Sequence, residues 1–132
     1  MAEGYFNHFD EIAGKLETAL SQIVRTAAFN IQAGAQQNAP VDTGFLKNSI
    51  YTVTSSDSNY SAGGEDSKHQ LLPEIEHPTS STEAAVAVGA SYGVYQEFGW
   101  VHGAAQPYLT PAVEAERSAF LAALQQLGDK LM

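Results

Sequence analysis

The sequence predicts an α+β domain: a long N-terminal helix and a C-terminal helix packed on a small, mostly antiparallel sheet, with a long polar loop. Three observations predict this fold. Apolar residues recur at steps of three and four near both ends of the chain, two short runs between them suit strands, and no internal repeat divides the chain. With 132 residues, of which 44% are hydrophobic, we expect one globular domain over 1–132.

The first helix is predicted over 6–37. Its apolar residues form one stripe on a helical surface and therefore need a partner surface; they include Phe9, Ile12, Leu16, Leu20, Ile23, Val24, Ala27, Ala28 and Ile31. Gly34 weakens the last turns. Pro40 ends the helix because proline lacks a backbone donor and restricts the residue before it.

Two strands are predicted after this helix. Asp42 or Thr43 is expected to cap one helical turn that precedes the first strand. Residues 50–54 are β-branched and aromatic, and 83–89 form a second apolar run. Because two strands make a thin sheet, we expect a third, either from the loop between them or from a neighbouring subunit.

The segment 55–82 is predicted to be an extended polar loop that orders only on assembly, with a short edge strand at 69–72 that Pro73 limits. Residues 57–83 hold six acidic residues and one lysine. We expect this loop to line a channel or contact a partner through Asp57, Glu65, Asp66, Glu74 and Glu76.

Two helices are predicted in the last third of the chain. Aromatic residues spaced by three indicate a short helix over 92–99, ended by Gly99. The C-terminal helix is predicted over 110–131, with Thr110 as its cap and Pro111 at its first position.

Composition excludes several classes of function. A formal net charge of −9 argues against wrapping nucleic acid, and the absence of cysteine excludes thiolate chemistry. No apolar run approaches the ~20 residues of a membrane span. The N-terminus lacks the pattern of a secretory signal, so we expect a soluble, intracellular protein when it is made.

Signals for enzymatic chemistry are weak. His69 and His77 lie near glutamates, but without helical metal-ligand spacing, so we expect no metal and no cofactor. Asp42-Thr43-Gly44 matches the triplet of aspartic proteases, and a homodimer could supply two copies. Their aspartate ends a β-strand, however, whereas this one follows a helix. Glu97 lies among aromatic residues, and a raised pKa would suit a catalytic acid; packing or an interface contact explains it better.

Three segments taken together resemble a known family: Ala-Pro-Val-Asp-Thr-Gly-Phe-Leu-Lys-Asn-Ser-Ile at 39–50, Tyr-Gly-Val-Tyr-Gln-Glu-Phe-Gly at 92–99, and Gln-Pro-Tyr-Leu-Thr-Pro-Ala at 106–112. They are similar to the lambdoid-type tail-completion proteins of long-tailed phages, also described as tail components or head–tail joining proteins. The chain departs from that pattern at Trp100, where the family has a small polar residue, and in its longer loop at 55–82.

The resemblance implies a non-enzymatic virion protein of the phage neck, assembled in the host bacterial cytoplasm. It implies a ring, sixfold by expectation, that joins the tail tube to the head connector while DNA passes through without specific binding. Its partners would be further copies of itself, a tail terminator or tail tube protein, and a head-completion protein. A tail terminator that caps the tube is the alternative. The expected interface residues are Tyr92, Tyr95, Glu97, Phe98, Trp100 and Tyr108.

Overall fold

The chain forms four helices and two strands in the residues that the structure, a computed structural model, describes. These are 2–40, 44–61, 70–99 and 103–131, with side chains described from 10 to 130. The elements are α1 (Ala2–Asn38), α2 (Phe45–Asn48), β1 (Ile50–Thr54), β2 (Ala84–Val88), α3 (Gly93–Phe98) and α4 (Leu109–Leu131). The predicted α+β fold is confirmed: the two long helices pack on a small antiparallel sheet.

The predicted helices and the two main strands are present, most of them with shifted ends. Helix α1 starts at Ala2, four residues before the predicted start, and it stops just before Pro40. Helix α4 starts at Leu109, so the prediction of Thr110 as its cap was wrong; Thr110 lies inside the first turn. The turn of α2 is capped by Gly44 in a left-handed conformation, φ 77°. Asp42 and Thr43, expected as its cap, lie outside the described residues.

The core lies where the C-terminal half of α1 meets α2, the sheet and the start of α4. Its buried members are Ala35, Ala39, Phe45, Leu46, Ile50, Ala90, Tyr108 and Ala112. Helices α1 and α4 approach closely there: a Cβ on Gly34 would lie 3.2 Å from the Cβ of Ala112. Gly34 therefore serves helix packing, although it costs α1 some intrinsic helix propensity.

The sheet is a two-stranded antiparallel pair in which Thr52 faces Val86. Every residue of β1 is buried, whereas every residue of β2 is only partly buried. Within the described ranges no third strand forms. The edge strand predicted at 69–72 is reduced to one bridge, Leu71 to Ala90, because Pro73 has no N–H to continue a ladder.

No helix in the described part of the chain combines the length and the hydropathy that a membrane span requires.

Candidate interface on helix α3

Helix α3 has an inner face and an outer face, which the helical period separates. Gly93 and Glu97 are four residues apart and both are buried. Val94, Tyr95 and Phe98 point the other way, with exposed fractions of 54%, 47% and 75%. The six-residue helix therefore exposes three large hydrophobic side chains on one side.

The carboxylate of Glu97 caps helix α4 from across the structure. Its Oε1 accepts the backbone N–H groups of Tyr108 at 3.0 Å and Leu109 at 2.8 Å, and its Oε2 accepts that of Thr110 at 2.9 Å. The first N–H groups of a helix have no partner within the helix, and a negative charge at this end is favourable. Glu97 thus replaces the cap that Thr110 was expected to provide.

The pKa of Glu97 follows from these contacts. Burial taken alone raises the pKa of a carboxyl group, but the Thr110 side chain and the backbone N–H groups of Leu109, Thr110 and Tyr108 outweigh it, so the pKa lies below the usual value. The raised pKa considered for Glu97 was therefore wrong, because all these donors stabilise the ionised form. A carboxyl group that stays ionised is a poor proton donor near neutral pH.

Tyr108 holds the start of α3 in place through a hydrogen bond to Gly93. Its hydroxyl donates to the carbonyl of Gly93 at 2.9 Å, and its own carbonyl accepts from the Asn38 side chain at 3.3 Å. Burial, followed by the electrostatic influence of Glu97 and then of Tyr92, raises the pKa of Tyr108 to about 12. Only glycine fits at position 93, because a Cβ there would lie 2.7 Å from the Tyr108 hydroxyl oxygen.

The end of α3 is fixed as well. Gly99 has a φ of 82°, and its N–H donates to the carbonyl of Tyr95 at 2.8 Å. The N–H of Gln106 donates to the carbonyl of Gln96 at 2.7 Å, which holds the approach to α4 against the helix. The outer face is therefore presented on a backbone that is bonded at both ends.

The expected interface residues that the structure describes divide into three groups by burial. Glu97 and Tyr108 are buried, and their described contacts are within the chain. Tyr92 is half-buried, and its ring stacks on Phe45 with centroids 6.1 Å apart. Tyr95 and Phe98 are exposed, and Trp100 lies outside the described residues. The sequence analysis did not include Val94 among the interface residues. Its spacing of four from Phe98 would have placed both residues on the same face of the helix.

The acidic residues of the polar loop lie in different surroundings. Asp57 receives a two-pronged hydrogen bond from Arg25, at 2.8 and 3.1 Å, and another from the Thr54 hydroxyl. These hydrogen bonds, that of Arg25 first, hold its pKa below the usual value. Glu74 contacts His77 at 3.2 Å, and Glu76 is exposed. Glu65 and Asp66 lie outside the described residues.

His77 joins the polar loop to the sheet. Its Nδ1 lies 2.8 Å from the carbonyl oxygen of Thr54, and its Nε2 faces Glu74. In the part of the chain whose side chains are described, no group of three histidine, aspartate or glutamate residues could hold a metal ion. His69 lies outside that part, as do Asp42 and Thr43 of the protease-like triplet, whose chain segment lies between helices α1 and α2.

Comparison with known proteins identifies the chain at the level of a family. A family model described as bacteriophage HK97-gp10, a proposed tail component, matches residues 7–99, which run from α1 through α3. No curated protein and no solved structure matches the chain. The match covers more than half of the 132 residues. The chain therefore belongs to the HK97-gp10-like family of bacteriophage tail components.

Proposed function

We propose that this chain is a structural, non-enzymatic subunit of the phage neck, which forms a ring and joins the tail tube to the head connector around the DNA channel. Membership in a tail-component family supports a place in the virion and contacts with other virion proteins. The observation that carries the proposal further is the outer face of α3, where three apolar side chains are exposed on a firmly held helix.

The outer face of α3 has the properties of a binding surface. Clustered exposed apolar residues are unusual on a monomer, and aromatic residues dominate the energetics of interfaces. Because the inner face is fixed by Glu97 and Tyr108, the backbone has little conformational freedom left to lose on binding. Tyr95 and Phe98 are the anchors we propose, with Val94 beside them.

A ring requires that each copy present one surface to the previous subunit and another to the next. We propose that the outer face of α3 is one of these two surfaces, in a ring that is sixfold by expectation. The tail terminator or tail tube protein would bind on one side of the ring and the head-completion protein on the other. Such a subunit needs neither a cofactor nor a catalytic group.

The acidic polar loop is proposed to line the channel, so that DNA slides past without binding. A net charge of −9 repels phosphate, and Glu74 and Glu76 lie on the surface. Glu76→Lys is the informative change, because Asp57→Lys would also break the pair with Arg25. We expect slower DNA ejection from Glu76→Lys virions, most clearly at low salt. Ejection at the wild-type rate under those conditions would contradict a channel role.

Deletion of the gene from the parent phage tests the proposed position in the virion. Electron microscopy of lysates should show filled heads beside finished but unattached tails. Overlong tubes would assign the chain to the tail terminator instead. Normal infectious virions would refute an assembly role.

A further inference from the structure

The two strands of the sheet differ in their outer edges. On β1, the N–H of Thr52 donates to the Asn59 side chain at 2.7 Å, and the carbonyl of Thr52 accepts from the Asn59 N–H at 3.2 Å. The N–H of Thr54 donates to the carbonyl of Asp57 at 2.8 Å. The polar loop thus satisfies the outer edge of β1.

Among the described residues, nothing comparable covers the outer edge of β2. Thr52 faces Val86 and bonds outward, and the Gly89 N–H donates to Ser49 at 2.8 Å, so the N–H and C=O groups of Ala84, Val86 and Val88 point away from β1. No described residue forms a hydrogen bond with any of them. The strand carries no charge, no proline and no bulge, the usual devices that protect an open edge from pairing.

A largely apolar groove of about 520 Å³, which the charged residues Glu116 and Arg117 also line, lies beside this edge. Val24, Ala28 and Ile31 of α1 line it, with Val113 and Phe120 of α4 on its other side. Backbone groups that remain unpaired next to an apolar surface favour a partner in β conformation, which would bond to the strand and cover the groove.

We propose that the partner is a second copy of this chain. The β2 strands of the two copies pair antiparallel about a twofold axis that passes between their Val86 residues. Val86 then lies opposite Val86, and Ala84 opposite Val88, in hydrogen-bonded pairs that each exchange two N–H···O bonds. The outward N–H and C=O groups of Ala84 and Val88 lie at equal distances on either side of Val86. The edge can therefore pair with an identical edge in the antiparallel direction. A shift of the pairing by two residues leaves some of these groups unpaired.

This pairing also accounts for the groove. The two sheets join into one of four strands, and the groove-lining residues of α1 in each copy come to lie under the joint. The apolar side chains of Val24 and Ile31 are then covered together with the backbone edge. Edge pairing and apolar burial therefore act at the same contact.

A twofold contact closes on itself after two subunits, whereas a ring requires head-to-tail contacts. The β2 pair is therefore a form of the free protein, and it uses a surface other than the outer face of α3. The inference does not rest on the neck position proposed above. A protein that pairs through β2 but is absent from the neck, or the reverse, would separate the two.

Sedimentation equilibrium of Val86→Pro tests the pairing. Proline removes the outward N–H of Val86, which β1 does not use, so the ladder between β1 and β2 is kept. We expect the wild type to form dimers and Val86→Pro to dissociate at least about tenfold more readily, since both central bonds are lost. Val86→Thr keeps the N–H and the side-chain shape, and should dimerise like the wild type. Equal dimerisation of all three proteins would overturn the inference.

Amide hydrogen exchange of the wild type gives a second test, which needs no substitution and therefore does not depend on whether a variant folds. The amides of Ala85 and Ala87 bond to β1 and should be protected at every concentration. Those of Ala84, Val86 and Val88 should gain protection as dimers form. Rapid exchange of these three amides at all concentrations, or protection only when other virion proteins are added, would rule out the second copy as the partner.

Discussion

The two faces of helix α3 are in opposite environments within six residues. The inner face ends in Glu97, whose carboxylate accepts three backbone N–H groups, and Gly93 lies under the Tyr108 hydroxyl. The outer face ends in Phe98, three quarters of which is exposed. The difference shows that one short helix serves the fold through its polar contacts and remains available for binding through its apolar ones. Changes on the inner face should cost stability, and changes on the outer face should cost assembly.

Glu97→Ala should have the largest effect on stability. It leaves the N–H groups of Tyr108, Leu109 and Thr110 without their acceptor, and we expect a loss of roughly 2–3 kcal/mol in the free energy of unfolding. Urea unfolding measures it. Glu97→Gln keeps one acceptor oxygen and should lose less. A Glu97→Ala protein as stable as the wild type would show that the cap contributes nothing.

Tyr108→Phe should have a smaller effect, of about 1 kcal/mol, because one buried hydrogen bond to the Gly93 carbonyl is lost while the ring remains. The same urea titration detects it. Phe98→Ala, on the exposed side of the helix, is the control and should change stability less. Equal losses in the two variants would contradict the distinction between the faces.

Acid should weaken the inner face in a defined direction. The pKa of Glu97 is lowered in the folded state, so its contribution is complete above the unfolded value and is lost as the pH falls toward the folded one. As the pH falls through and below the ordinary glutamate pKa of 4.5, the wild type should lose more stability than Glu97→Gln. Asp57, whose pKa is also lowered, contributes to the acid sensitivity of both proteins. If the stability of the wild type and of Glu97→Gln fell in parallel with pH, the Glu97 carboxylate would not contribute to the acid sensitivity.

Phe98→Ala should have the smallest effect on stability. Its side chain is mostly in water already, so little buried apolar surface is lost. Leu121→Ala, on the exposed side of α4, is a control of similar character. A strongly destabilised Phe98→Ala protein would place Phe98 in the core instead of at an interface.

The sequence predicted the elements well because their signals are local. Helix α1 follows from a stripe with the helical period, and β1 from a run of β-branched and aromatic residues at 50–54. Pro40 marks the end of α1 within two residues. These features depend on neighbours along the chain.

The role of Glu97 could not be read in the same way. Its partners lie 11 to 13 residues further along the chain, and Thr110-Pro111 looked like a complete start signal by itself. A cap supplied from another helix leaves no local pattern. The sequence predicted only that the sheet is thin and needs a further strand. It could not predict the open edge of β2, because the register with β1 decides which backbone groups of β2 face outward.

Complementation of the gene-deleted phage is the most direct test of a binding surface on α3. Phe98→Ala and Leu121→Ala proteins, both first verified as folded, would be supplied in turn, and infectious particles counted. The account predicts that Leu121→Ala restores infectivity, whereas Phe98→Ala leaves filled heads and separate tails. Full infectivity with Phe98→Ala would contradict it.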